Sequence, residues 1–441
     1  MHCIFRSHFA RRMPVDLSAL PPEARPDARP PRLIVWLFLG VIVIGGGVAL
    51  ILWRWPLGKS THDWRFWVWF AVPPLVYGLM LAARWHIYEQ ALGQAEAYNR
   101  QRKGVVDHNT KYGQRPLALL AHAYATAMGE RDVARRIMEN ESTLAFLPVR
   151  GIGASVSHTS IISQRPEARE TEKRRTRRDA LPLTDDDLLE LFGCLISQLQ
   201  PKLRALPAHL VLPVQLAVTG NEYVLSTEEQ WDAAWHAFGL GEYVLRRPTE
   251  PGLMALDTWL DETDPHRRDR VALYVNVQLR DDPPENGAEA ATAVLVAWPG
   301  MAERLGLPVE AWMHRPVRSS PEKFAIALED ALSWGCVASV DDTQAWVSGL
   351  DSAGRECFSH ALRQSPAASS SLVEDVVVTG NVDSALGDAG HAAGWLACAL
   401  ATERLDTHDQ PQLIATQDSA GVVYAVIRKP CQATTELQHH S

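Results

Sequence analysis

Six cysteines (Cys3, Cys194, Cys336, Cys357, Cys398 and Cys431) and sixteen histidines are the residues of this chain that could act as nucleophiles or metal ligands. The cysteines are widely scattered and form no CxxC pair, which argues against a zinc ribbon or a disulfide framework and for free thiols in a reducing compartment. The histidines are equally dispersed, and His439 and His440 adjoin only in a polar tail. There is no P-loop, no HExxH and no GxSxG elbow, so ATP hydrolysis, zincin chemistry and α/β-hydrolase chemistry lack their usual local equipment. No cofactor and no metal site is expected. Cys194 and Cys398 fall in apolar helical stretches and read as packing thiols, while Cys336, after Trp334-Gly335, reads as part of a buried strand.

The elements that would position such residues are those of a mixed chain. Its 441 residues, 46% hydrophobic and 22% charged, leave room for two or three domains. Lys and Arg total 43 against 52 Asp and Glu, a formal charge of −9, which argues against a nucleic-acid partner. Fifteen tryptophans are an unusual excess whose location matters.

Leu33 to Trp53 is an uncharged run of 21 residues. At about 1.5 Å per residue it can cross a hydrocarbon core of roughly 30 Å. Phe66 to Ala83 is a second uncharged run, and Trp53, Trp55, Trp64, Trp67, Trp69 and Trp85 flank the two as an interfacial aromatic belt would. The first run begins too late and is too long for a cleaved signal peptide, and no small-residue cleavage site follows it. Gly45, Gly46 and Gly47 could admit a neighbouring helix. Arginines and lysines are concentrated before the first span and after the second. By the positive-inside rule both termini lie in the cytoplasm, with the hairpin in the inner membrane.

Along the rest, Ile87 to Arg102 predicts a helical stalk continuing the second span. Pro116 to Asn140 carries apolar residues at three-four spacing and predicts a helix, and Ile152 to Ile162 a strand. Arg165 to Asp179 mixes both charges around a KRRTRR core and reads as an exposed linker, or as a contact with an anionic leaflet. Thr184 and Asp187 form a capping-box pattern before an amphipathic helix, Asp185 to Gln200. Then follow a strand Leu210 to Val218, a helix Glu228 to Phe238, and strands Arg270 to Leu279 and Ala290 to Trp298. A helix Pro321 to Ser333, strands near Cys336 to Val340 and Val376 to Thr379, a helix Gly394 to Ala401 and strands Gln412 to Gln417 and Gly421 to Arg428 complete the pattern. The expected fold class is α/β: two N-terminal transmembrane helices followed by a layered α/β domain. The expected divisions are a basic N-terminus 1–32, a hairpin 33–83, a stalk and first cytoplasmic part 84–164, a linker 165–182, an α/β domain 183–430 and a tail 431–441.

Two segments of that domain resemble β-ketoacyl synthases and the thiolase-like fold. Gly287-Ala-Glu289-Ala-Ala stands where those enzymes carry an EGAAA-like turn, and Gly387-Asp-Ala-Gly390-His391-Ala-Ala-Gly394 before an apolar helix looks like their GNxGHxxxAAG segment. The resemblance spans about Leu183 to Lys429 and implies a thiolase-like domain. Condensation needs a thiolate at a helix N-terminus together with groups that activate the substrate and stabilise its oxyanion. Neither a DTACSS-like nucleophile nor an HGTGT motif is present, so the domain is degenerate by this standard. His391 is the one histidine that the resemblance places at a catalytic position; Cys336 and Cys357 are the candidate thiols for it.

The layout of a Trp-rich hairpin followed by a degenerate thiolase-like domain also resembles type VI secretion-associated accessory proteins, the type VI lipase adaptor family in particular. This resemblance implies a non-catalytic inner-membrane protein whose partners are the bilayer and a protein client, a secreted toxin or secretion component. The alternatives are a membrane-bound acyl-transfer or condensing enzyme, and a toxin immunity protein.

Overall fold

The computed structural model describes residues 21–26, 29–56, 62–149, 155–161, 184–220, 226–248, 250–261, 270–319, 322–364 and 380–430. It divides into two compact units, Met1–Tyr112 and Gly113–Ser441. The charged linker around Arg165 to Asp179, the strand expected at Val376 to Thr379 and the tail 431–441 lie outside the described residues.

In the first unit, helices α1 (Leu33–Arg54) and α2 (Trp64–Gly113) are each long and apolar enough to cross a membrane. A π-helical stretch, Val41–Gly45, interrupts α1. Pro73 and Pro74 are held within α2, as apolar spans tolerate. The Tyr77 hydroxyl donates to the Trp36 carbonyl at 2.8 Å. Gly47 abuts Pro73 so closely that an added Cβ would lie 2.6 Å from the ring, whereas Gly45 and Gly46 face open space. Of the three glycines, Gly47 is thus the one that admits a neighbouring helix within the hairpin. Trp53, Trp64, Trp67 and Trp69 are exposed, as an aromatic belt requires. The chain before α1 runs beside the stalk: Asn99 exchanges two 2.9 Å hydrogen bonds with the Ala24 backbone, and the Arg84 guanidinium donates to the Arg29 carbonyl.

The second unit begins with strands β1 (Leu117–Thr126), β2 (Ala145–Pro148) and β3 (Ser155–Thr159), helix α3 (Asp185–Arg204), strand β4 (Leu212–Thr219), helix α4 (Thr227–Ala237), and strands β5 (Tyr243–Arg246), β6 (Val271–Gln278), β7 (Gly287–Ala288), β8 (Ala290–Ala297), β9 (Ala311–Met313) and β10 (Val317–Arg318). It continues with helix α5 (Phe324–Trp334), β11 (Gln344–Ser348), α6 (Ser352–Gln364), β12 (Gly380–Asn381), α7 (Ala393–Leu405), β13 (Gln412–Asp418) and β14 (Gly421–Arg428). The large sheet has the order β12-β11-β13-β14-β9-β1-β8-β6-β4-β5, with β10 on β14, and β2-β3-β7 form a small second sheet. The result is a mixed, layered α/β fold.

Each face of the large sheet carries its own core. On one, Phe192 and Leu195 of α3 and Trp231 and Trp235 of α4 cover Leu273, Val275 and Leu295. On the other, α7 lies against Tyr124, Tyr274 and Val294, with Trp395 stacked on Tyr274 at 4.7 Å between centroids. Every residue of α7 from Ala393 to Thr402 is buried, the signature of a helix enclosed on all sides. The capping box forms as its pattern predicts: the Thr184 side chain accepts from the Asp187 amide, and the Thr184 amide donates to the Asp187 carboxylate.

Two expectations are corrected. Pro116 to Asn140 is not one helix but β1 followed by the short helix Val133–Met138. Because β1 lies between β8 and β9 with both faces buried, its residues are apolar apart from His122 and Thr126. Three-four spacing is then met by any periodicity. Residues Cys336 to Val340 form no strand: Cys336 closes α5 in a left-handed conformation (φ 52°) and is exposed, and the neighbouring strand starts at Gln344. Across the charged segment in sequence, β1 pairs with β8 and β3 with β7.

Candidate functional site

Four strands end at one place. β4 and β6 run parallel to each other, as do β11 and β13. Beyond their carboxyl ends lies a cavity of about 960 Å³, lined by Thr219 and Gln278 from the first pair and by Gly349, Thr416 and Gln417 next to the second. Crevices at the carboxyl ends of strands are where open α/β sheets take their ligands.

The two segments that carried the resemblance meet at this cavity. Gly287 forms a parallel bridge with Asp388. The Ala288 amide donates to the Asp388 carbonyl, and the Asp388 amide to the Asn286 carbonyl, both at 2.8 Å. Such close approach needs glycine at two positions. Gly387 has φ 97°, and a Cβ there would sit 2.6 Å from the Asn286 carbonyl; Gly390 has φ 53°, and a Cβ there would meet Gln278 and Arg280. Glu289 is buried and accepts from the Ser160 hydroxyl at 2.8 Å and from the Ile161 and Arg280 amides. It therefore ties the end of β3 to the end of β6.

His391 lines the cavity within the short 3-10 turn Gly390–Ala392 that leads into α7. Its amide donates to Gln278 at 3.3 Å, and its side chain is exposed. Gln278 is in turn fixed by the Thr219 hydroxyl at 2.8 Å. Neither candidate thiol lines the cavity. Cys336 follows the C-terminal end of α5, where Arg428 donates to its carbonyl, and Cys357 lies in the second turn of α6, away from its first residues. Burial pushes both thiols upward, and the fully enclosed Cys398 in α7 up to about 12. A nucleophilic thiol has the opposite shift, produced by a helix N-terminus or a cationic neighbour.

The polar groups that do converge on the cavity are carboxylates and guanidinia, which motif reading missed. The Asp383 side chain is only 10% exposed; it accepts the Gly349 amide at 2.7 Å and has the Arg355 guanidinium at 3.6 Å. Burial, with the Asp388 charge adding to it, pushes Asp383 up to about 6 despite that hydrogen bond. Asp351 accepts from the Gly354 amide and from Gln417, and Asp418 is closed by Arg318. The available signal was the pair Asp383 and Asp388 flanking Gly387 in an otherwise apolar stretch. Among the described residues there is no cluster of His, Cys, Asp and Glu that could hold a metal ion.

No family model matches the chain, and no curated protein matches its sequence. Among solved structures, it is similar to the ketosynthase from module 1 of the bacillaene synthase of Bacillus amyloliquefaciens, at 13% identity over 73% of this chain and 74% of that one, with a TM-score of 0.49. It is also similar to the ishigamide ketosynthase/chain length factor, at 17% identity over 72% of this chain and 100% of that one, with a TM-score of 0.47. The dimeric peroxisomal thiolase of Saccharomyces cerevisiae gives 13% identity, 72% and 98% coverage and a TM-score of 0.43.

Proposed function

We propose that the chain is a membrane-anchored docking protein. In this reading α1 and α2 span an inner membrane with both termini cytoplasmic. The second unit is a degenerate thiolase-like scaffold that receives a protein client, a secreted toxin or a component of a type VI secretion system. The observation that carries the non-catalytic part is the placement of the thiols: the cavity takes in His391, while Cys336, Cys357 and Cys398 all lie outside its lining. Among the described residues no thiol lines the cavity with His391, and condensation depends on such a nucleophile. The anchoring part rests on the two apolar helices and on the segment before α1 lying beside the stalk portion of α2, an arrangement that suits a hairpin entered and left on one side. Anchoring raises the local concentration at which scaffold and client meet.

The test is to replace Leu33 to Ala83 by a soluble linker in the native cell. The expected result is a folded chain in the soluble fraction that still co-purifies with its client. A folded soluble chain that has lost the client would contradict the proposal, and so would a variant that stays with the membrane.

A further inference from the structure

We infer that the cavity of the second unit receives a cationic side chain of the client, a guanidinium or ammonium group; this rests on the docking reading above. The inference begins with the balance of charge around a cavity large enough for a side chain with its flanking backbone. Glu285, Asp351, Asp383, Asp388 and Asp418 contribute carboxylates, while Arg280, Arg355 and His391 are the basic residues. Asp418 is matched by Arg318, which donates to it through two nitrogens, and Asp351 is held by a backbone amide and an amide side chain.

Asp383 and Asp388 are matched less completely. The Arg355 guanidinium is half-exposed and stands at 3.6 Å from Asp383, beyond hydrogen-bond distance. Asp388 accepts the Gly390 amide at 2.8 Å. Among the described residues it has no cation within ion-pair distance. The enclosed carboxylate and its exposed neighbour therefore present negative charge to the cavity. A planar guanidinium offers several donors in a fixed fork, and charge-assisted bonds of that kind are the strong ones. An anionic occupant would meet repulsion from the same two groups.

The test uses the full-length chain in detergent micelles, titrated calorimetrically with an acetylated, amidated tetra-arginine peptide, its tetra-glutamine counterpart and coenzyme A. The expected result is binding of the arginine peptide alone, weakened at least about tenfold by Asp388→Asn. Ser384, exposed on the cavity wall, supplies a variant that spares the carboxylates: Ser384→Arg places a resident cation there and is expected to abolish peptide binding. Equal binding to wild type and both variants would overturn the inference, as would preferential binding of coenzyme A. A photo-crosslinker at residue 384 separates the two levels. If the arginine peptide fails to bind while a client still crosslinks there, the cation inference falls and docking stands; if the crosslink fails as well, both fall.

Discussion

The Ala288 amide donates to the Asp388 carbonyl at 2.8 Å, joining two chain segments that lie a hundred residues apart in sequence. Gly387 allows that approach, because its φ of 97° and its contact with the Asn286 carbonyl leave no room for a side chain. Gly387→Ala should therefore cost about 1–3 kcal/mol in backbone strain, with further loss from the clash. It should lower the melting temperature of the full-length chain and weaken arginine-peptide binding together. A variant that keeps both unchanged would show that the contact does not hold the cavity wall.

Asp383 should make stability depend on pH in an unusual direction. Its folded value of about 6 lies above the unfolded value of 3.8, so the folded state holds the proton more tightly. The favourable contribution is complete below about pH 4 and is lost as pH rises through 6, at most about 3 kcal/mol. Asp383→Asn should flatten this part of the profile and raise the melting temperature above pH 7. An unchanged profile would remove Asp383 from the explanation.

His314 should act in the opposite sense. It is buried, and burial together with the Arg428 charge pushes it down to about 4 from 6.5. The stability of the neutral ring is present above pH 6.5 and is lost as pH falls toward 4, by roughly 3 kcal/mol. His314→Gln should reduce acid sensitivity between pH 6.5 and 4, read as a smaller drop in melting temperature across that interval. Equal drops in both proteins would contradict this assignment.

Within the hairpin, removing the Tyr77 hydroxyl and crowding Gly47 should separate by size of effect. Tyr77→Phe loses one hydrogen bond to Trp36, worth about 0.6 kcal/mol between membrane helices. Gly47→Leu forces α1 away from Pro73, where even a Cβ would be 2.6 Å from the ring. Its expected effect is larger and is seen as increased distance between probes placed on α1 and α2. Similar distances in Gly47→Leu and wild type would mean that the hairpin is not held by this contact.

Much of this architecture can be read along the chain where one local rule dominates. The charge-free runs announced α1 and α2, and Thr184 with Asp187 marked the start of α3 to the residue. The reading failed where burial on both faces erases periodicity, as in β1, and where a left-handed residue ends a helix, as at Cys336. The long-range pairing that joins β1 to β8 across the charged segment in sequence leaves no local signal. At the site, His391 and the Gly387 to Gly394 segment were found through local spacing. Asp383, Arg355 and Gln278 were not, since they come from the helical turn after β12, from α6 and from the end of β6, which only the tertiary fold brings together.

The most direct test of a docking rather than a condensing site is intact-mass spectrometry of the full-length chain after incubation with acyl- and malonyl-coenzyme A. The expected result is an unmodified chain, with Cys336, Cys357 and Cys398 all free of acyl groups. A stoichiometric thioester on one of these cysteines, lost when that cysteine or His391 is replaced by alanine, would contradict it and identify a condensing enzyme.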